Sequence, residues 1–225
     1  MLRPPTLLQS GVKQPRLFID CSTIDPKSSS QIANAVHSSG QGKFVDAPMS
    51  GGTIAADAAK LTFMIGASQD VVGRVKDILS LLGARVLHLG PQGSGLKGKL
   101  ANNYLLAINN IATAEAMNMG IQWGLDSQAL ADMINTSTGR CWPSEINNPV
   151  PGVSKTAPAS DGYVGGFGTS LMNKDLGLAM QSATESGIEP RLGSVCREIY
   201  KMVEANDNLK GKDFSVVYQW LKGAK

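Results

Sequence analysis

Hydrophobic and polar positions follow two different rhythms along the chain. Up to about residue 89, short apolar runs of strand length alternate with stretches of helical period. Residues 17–21 (LFIDC), 43–46 (KFVD), 61–66 (LTFMIG) and 85–89 (RVLHL) read as strands. Residues 27–39 read as a helix with Ile32, Ala33 and Val36 on one face. Residues 70–82 read as a second helix, with Val71, Val72, Val75, Ile78, Leu79 and Leu82 at helical spacing. Strand–helix alternation of this kind predicts an α/β sheet with helices packed against it.

From about residue 96 the pattern is helical. Residues 97–123 carry Leu100, Tyr104, Leu105, Ile108 and Ile111 among many alanines. Those apolar residues cover more than one stripe, which predicts burial on several sides. Asp126 is placed to cap a helix over 127–135. Residues 136–168 are rich in Asn, Ser, Pro and Gly and read as one long loop. That length is unusual inside a compact domain and points to a functional or subunit-contact role. Helices over 171–186, 191–204 and 214–220 complete the chain.

Composition narrows the class. The 225 residues are 42% hydrophobic and 17% charged, enough for a packed core and unlike a disordered chain. A net charge of +3 with no basic stripe argues against a nucleic-acid partner. Cys21, Cys141 and Cys196 are odd in number and far apart, which suits neither a disulfide framework nor a metal site. No apolar run is long enough to span a membrane. The first sixteen residues lack acidic groups and carry Arg3, Lys13 and Arg16, a faint presequence signal that Pro4 and Pro5 interrupt.

Two glycine patterns invite a phosphate-loop reading. GSGLKG at 93–98 satisfies G-x-G-x-x-G, between a strand and a helix. No second strand with a ribose-binding acid follows, so the βαβ context of a dinucleotide site is missing. The same stretch reads G-x-x-x-x-G-K through Lys99, but Leu100 stands where a P-loop needs Ser or Thr for magnesium.

Four constellations carry candidate chemistry. Lys99 and Asn103 are i, i+4 neighbours and share a helix face, where an ammonium and an amide can bond a substrate oxygen and move a proton. The plainer reading of Lys99 is a snorkelling surface lysine. DAPMSGG at 46–52 ends a strand in a turn whose Ser50, Gly51 and Gly52 offer backbone N–H groups beside a hydroxyl, a cradle for carboxylate or phosphate, or simply a turn. STIDP at 22–26 follows a strand at the end where α/β sheets bind ligands, with Asp25 and Pro26 also suited to start a helix. GGFGTSLMNKD at 165–175 opens a helix with Lys174 and Asp175 in its first turns, where Lys174 can meet an anionic cofactor or solvent.

The segments FIDCSTIDP, FVDAPMSGG, LTFMIG, GSGLKGKLANN, TAEAMNMG and GGFGTSLMNKDLGLA, in this order and spacing, resemble the β-hydroxyacid dehydrogenase family. The likeness runs from about residue 17 to the C-terminus. The stretch NTSTGRCWPSEINNPVPG at 135–152 is similar to members that oxidise 3-hydroxyisobutyrate, more than to tartronate semialdehyde reductases or 6-phosphogluconate dehydrogenases.

The resemblance implies the following. The fold is an α/β remnant of a Rossmann-type domain (1–93) followed by an all-α substrate and dimerisation domain (94–225), built around a long interdomain helix. Lys99 is the catalytic acid/base and Asn103 orients it, with Asn102 beside it. Ser50, Gly51 and Gly52 hold the substrate carboxylate, and Phe167 and Asp175 line the site. Thr23 and Lys174 contact the cofactor, NAD. The reaction is oxidation of (S)-3-hydroxyisobutyrate to methylmalonate semialdehyde in valine breakdown. Lys99 then needs a lowered pKa in a closed site. No metal takes part, the chain is a homo-oligomer through its helical domain, and the location is mitochondrial, with the cytoplasm as the alternative.

One departure from the family pattern bears on activity. Its members open with a strand, a G-x-G-x-x-G loop and a helix that hold the pyrophosphate, and residues 17–21 already correspond to a later strand. The expectation is therefore a chain that binds NAD poorly and turns over little. The alternatives are a non-catalytic fragment that pairs with full-length subunits, and another reductase of the family.

Overall fold

The computed structural model describes residues 15–223. Most of the basic stretch read as a faint presequence lies outside the described residues. The chain divides into two compact units, Met1–Leu100 and Ala101–Lys225.

In the first unit, β1 (Arg16–Asp20) leads through α1 (Pro26–Ser38) to β2 (Gly42–Asp46). These strands pair in parallel from Arg16↔Gly42 to Asp20↔Asp46. Asp25 caps α1 by accepting from Ser28 N at 2.8 Å, and Pro26 fills the first turn, where its missing N–H costs nothing. β3 (Met49–Ser50) and the short α2 (Gly52–Asp57) lead to β4 (Leu61–Gly66), then α3 (Gln69–Leu79) and β5 (Gly83–Gly90). β4 and β5 are parallel, whereas Asp46, Met49 and Ser50 run antiparallel to β4.

The sheet is thus mixed, although strand–helix alternation alone suggests a parallel one. The connection from Ser50 to Leu61 is too short for a parallel crossover, which needs a dozen or more residues. Side chains alternate between the faces. Phe18 and Phe44 meet Ala33 and Val36 of α1 on one side. Val45, Phe63 and Ile65 meet Val72, Val75 and Leu79 of α3 on the other. Each fully buried Val, Leu, Ile or Phe among them contributes roughly 1.5–3 kcal/mol.

Three of the expected contacts on these helices are not made. Ile32 is exposed on α1, as are Ile78 and Leu82 near the end of α3. α3 stops at Leu79, so Leu82 leaves the helical face, and Ile32 sits one position off the Ser29–Ala33–Val36 stripe.

The second unit is helical. It contains most of α4 (Ser94–Gln122), then α5 (Ser127–Thr136), α6 (Trp142–Glu145), α7 (Thr169–Glu185), α8 (Gly193–Ala205) and α9 (Val217–Leu221), with 3-10 turns at Pro158–Asp161 and Phe214–Val216. Asp126 caps α5 through Ala129 N at 2.9 Å. The core joins Ala107, Ile111, Ala114 and Met117 of α4 to Met172 and Leu176 of α7, Tyr200 and Val203 of α8, and Phe214.

α4 is buried over a broad face, wider than one stripe: Leu100, Asn103, Ala107, Asn110, Ile111, Thr113, Ala114 and Met117 are buried, and Tyr104, Leu106, Ile108 and Ile121 pack partly buried against the core, while Leu105 and Met119 are exposed.

The stretch 136–168 is not an open loop. Asn147 and Asn148 are buried, and side chains satisfy its irregular backbone. Asn148 donates to Ser144 O at 3.0 Å and accepts from Val150 N at 3.1 Å. Tyr163 donates to Pro149 O at 2.8 Å and accepts from Gln219 Nε2 at 3.1 Å. Burial pushes the Tyr163 hydroxyl up to about 12. Among the described residues, no helix is long and apolar enough to cross a membrane, and no group of His, Cys, Asp and Glu is placed to hold a metal ion.

Candidate functional site

In the first unit, Thr23 follows the carboxyl end of β1 and is half-buried. Ser50 closes β3, exposed Gly51 follows it, and exposed Gly52, in the left-handed region at φ 65°, starts α2. Lys99, in the second turn of α4, is 7% exposed, which removes the snorkelling alternative, whereas Lys97 is exposed.

The start of α4 is organised by a residue the sequence does not single out. Asp46, buried at the end of β2, accepts from Gly93 N at 2.7 Å (Oδ1) and from Leu96 N at 2.9 Å (Oδ2). Burial raises its carboxyl above the ordinary range, against the opposing pull of the Gly93 and Leu96 N–H groups. Gly95 is required here: a Cβ on it would stand 2.3 Å from Met64 O and 2.9 Å from Asp46 Oδ2.

This settles the chemistry of the glycine pattern at 93–98. Its helix N-terminus is already occupied by a carboxylate, which would repel a phosphate. The helices after β1 and β4 fare no better. Asp25 caps α1, and the first turn of α3 carries Asp70. None of these three helix starts therefore offers a diphosphate the free, positively poised N–H groups it needs.

In the second unit, Asn102, Asn103, Lys174 and Asp175 come together. Asn103 is 1% exposed and donates from Nδ2 to Asp175 Oδ2 at 2.6 Å. Exposed Asn102 donates to Asn103 Oδ1 at 3.1 Å. Lys174 Nζ stands 3.1 Å from Asp175 Oδ1. The Asn103 amide is thus oriented from both ends, with Asp175, itself buried, as the anchor.

Phe167 is half-buried and packs edge-on against Phe214, with centroids 6.0 Å apart. Its N–H donates to Asp213 Oδ2 at 2.8 Å. Asp213 also accepts from Ser215 N and Asn147 Nδ2 on its other oxygen. Gly166, at φ 64°, lets this carboxylate approach, since a Cβ there would lie 2.2 Å from Asp213 Oδ2. The aspartate–x–serine pattern before a helical run is the local signal that marks Asp213 as a cap.

A family model for the NAD-binding region of NADP-dependent 3-hydroxyisobutyrate dehydrogenase matches residues 93–221. A second, for the NAD binding domain of 6-phosphogluconate dehydrogenase, matches residues 3–90. An α/β, Rossmann-like unit followed by a helical unit, both matched by NAD-binding families, defines a protein of the nicotinamide-dependent oxidoreductase class.

Among curated proteins, the mitochondrial 3-hydroxyisobutyrate dehydrogenase of Rattus norvegicus is 49% identical over 211 residues, and that of Homo sapiens 48%. The solved 3-hydroxyisobutyrate dehydrogenase of Mycobacterium tuberculosis, with L-serine, is 40% identical with a TM-score of 0.87, covering 93% of this chain and 71% of that one. The chain belongs to the 3-hydroxyisobutyrate dehydrogenase family. The rat and human alignments cover 94% of this chain but 62% of the relatives' own length.

Proposed function

We propose that this chain carries the reacting end of an NAD-dependent dehydrogenase that oxidises (S)-3-hydroxyisobutyrate to methylmalonate semialdehyde, a step of valine breakdown. The observation that carries this reading is the buried Lys99, one helical turn before an Asn103 fixed by Asp175. Lys99, as a neutral amine, receives the proton of the substrate hydroxyl. Asn103 holds the lysine and the substrate oxygen in line. Ser50 and the backbone at Gly51 and Gly52 hold the substrate carboxylate, with Asn102, Phe167 and Asp175 around the substrate.

When bound, the nicotinamide accepts the hydride lost from the carbinol carbon. The residues present suit its reactive end: Thr23 at the carboxyl end of β1, and Lys174. They do not suit its diphosphate, because the helix starts after β1, β4 and β5 all carry acidic groups. The 225-residue polypeptide is therefore a weak binder of NAD with little turnover of its own.

Further parts of the reading rest on likeness. The relatives' mitochondrial names support a mitochondrial location. The exposed apolar side of α4, with Leu105 and Met119, supports self-association through the helical unit. The capped helix starts also favour a second reading, a non-catalytic chain that pairs with full-length subunits.

The test uses the purified chain at saturating NAD with (S)-3-hydroxyisobutyrate, following NADH. Residual turnover should fall by about 10²-fold or more in Lys99→Ala, with the circular dichroism unchanged. Turnover that survives in Lys99→Ala overturns the role of Lys99. Robust turnover at low NAD overturns the weak-binding reading. Absence of turnover together with co-purification of a full-length family member favours the pairing reading.

A further inference from the structure

Between α7 and α8 lies a groove of about 720 Å³, lined by Asn173, Lys174 and Gly177 of one helix and Arg197 and Glu204 of the other. Its polar groups are unevenly satisfied. Asn173 donates from Nδ2 to Glu204 Oε2 at 2.9 Å, which fixes the amide and ties down the acid. The Asn173 Oδ1 is then buried and has no partner.

Arg197 is the unusual member. Its Nε–H is buried and has no acceptor. Among the described residues no carboxylate pairs with it, although exposed arginines elsewhere do find acids, as Arg140 finds Glu145. A guanidinium is always charged and presents five donors in a rigid planar fork. Half-buried and without a partner, it is a donor set waiting for an acceptor. Gly177 makes room for it: a methyl there would stand 3.2 Å from Arg197 Nη2, so the fork lies close against the α7 backbone.

We infer that this groove binds a small oxyanion, a carboxylate or a phosphate group, with Arg197 as its principal ligand. The fork matches two oxygens of such a group at once, which a point charge does not. Lys174 lines the same wall, with its ammonium paired to Asp175 Oδ1 at 3.1 Å, so the free positive charge among the groove's described residues is that of Arg197. Glu204 is the opposing charge, and its bond to Asn173 holds it. The volume falls within the usual range for small-molecule sites. A ligand here joins α7, which carries Lys174 and Asp175, to α8. The inference does not rest on the dehydrogenase reading, because its test reads no turnover.

The test is a titration of the whole chain, labelled with nitrogen-15, with inorganic phosphate and separately with malonate, at constant ionic strength set by sodium chloride. The arginine Nε–H signal that disappears in Arg197→Lys is the reporter. It should shift and saturate in the millimolar range with at least one of the two anions. The anion that saturates identifies the oxyanion class. Calorimetry should give about tenfold weaker binding or less in Arg197→Lys, which keeps the charge but loses the fork, and none in Arg197→Gln. No saturable shift with either anion overturns the inference. So does binding of equal strength in Arg197→Lys.

Discussion

Asn103 and Asp175 lie 72 positions apart in sequence and are joined by a hydrogen bond of 2.6 Å from which solvent is excluded. The bond does two things at once. It satisfies an amide and a carboxylate that would each be costly to bury alone, and it fixes which way the amide faces. Replacing Asp175 with Ala strands the amide and should cost about 1–3 kcal/mol. In a urea-unfolding cycle with Asn103→Ala and the double variant, the two changes should be strongly non-additive. Additive losses would show that the two side chains do not depend on each other.

Asp46 holds the start of α4 through two main-chain N–H groups, so Asp46→Ala should destabilise by about 2 kcal/mol or more. Its pH dependence has a definite sign. Burial raises the folded-state pKa above the unfolded one. The associated stability is fully present below the unfolded value and is lost as pH rises through the folded value. As pH rises from the unfolded carboxylate value through the raised folded one, the wild type should therefore lose stability relative to Asp46→Asn. A constant difference across that range, measured by denaturant midpoints, would refute this.

Tyr163 sets a second window at alkaline pH. Its hydroxyl is raised from 10.0 to about 12 by burial. Stability should thus fall as pH climbs from 10 towards 12, because the unfolded chain loses this proton first. Burial raises Tyr200 and Tyr218 as well, and the fully buried Tyr200 ionises later still, so the check is a difference: Tyr163→Phe should remove the phenolate absorbance that develops near pH 12 and leave the rest of the titration in place.

Two helical glycines, one buried and one exposed, should respond in opposite ways. Gly95→Ala places a methyl 2.3 Å from the Met64 carbonyl, a backbone atom that cannot swing aside, and should cost about 1–3 kcal/mol or more. Gly73→Ala, at an exposed position of α3 with nothing within 4 Å, should stabilise by about 0.5–1 kcal/mol through helix propensity. Thermal unfolding of the two variants tests both directions.

These features differ in how much of them can be read from the chain. Helices α1 and α5 were legible because their signals are local: Asp25–Pro26 and Asp126 cap them within three residues. The four longer strands were legible as apolar runs. β3 and α2 were not, since two residues make no period and Gly51–Gly52 read as a turn. The candidate residues Lys99 and Asn103 could be singled out by helical spacing, but the tie from Asn103 to Asp175 could not. The same holds for Asp46, whose bonding partners lie 47 and 50 positions away. Arg197 gave no signal at all, because an arginine without a partner is visible only once its neighbours are placed.

The stretch from Asn147 to Tyr163 has a practical side. Its composition is that of a linker, and it would be a natural choice for inserting a tag or opening a circular permutation. Yet its backbone is closed by side chains it supplies itself, from Asn148 holding Val150 to Ser160 holding Gly152. Opening the chain there would cut through what serves as interior. The turn around Gly187, with exposed neighbours and open space beside it, is where the molecule can be cut and rejoined.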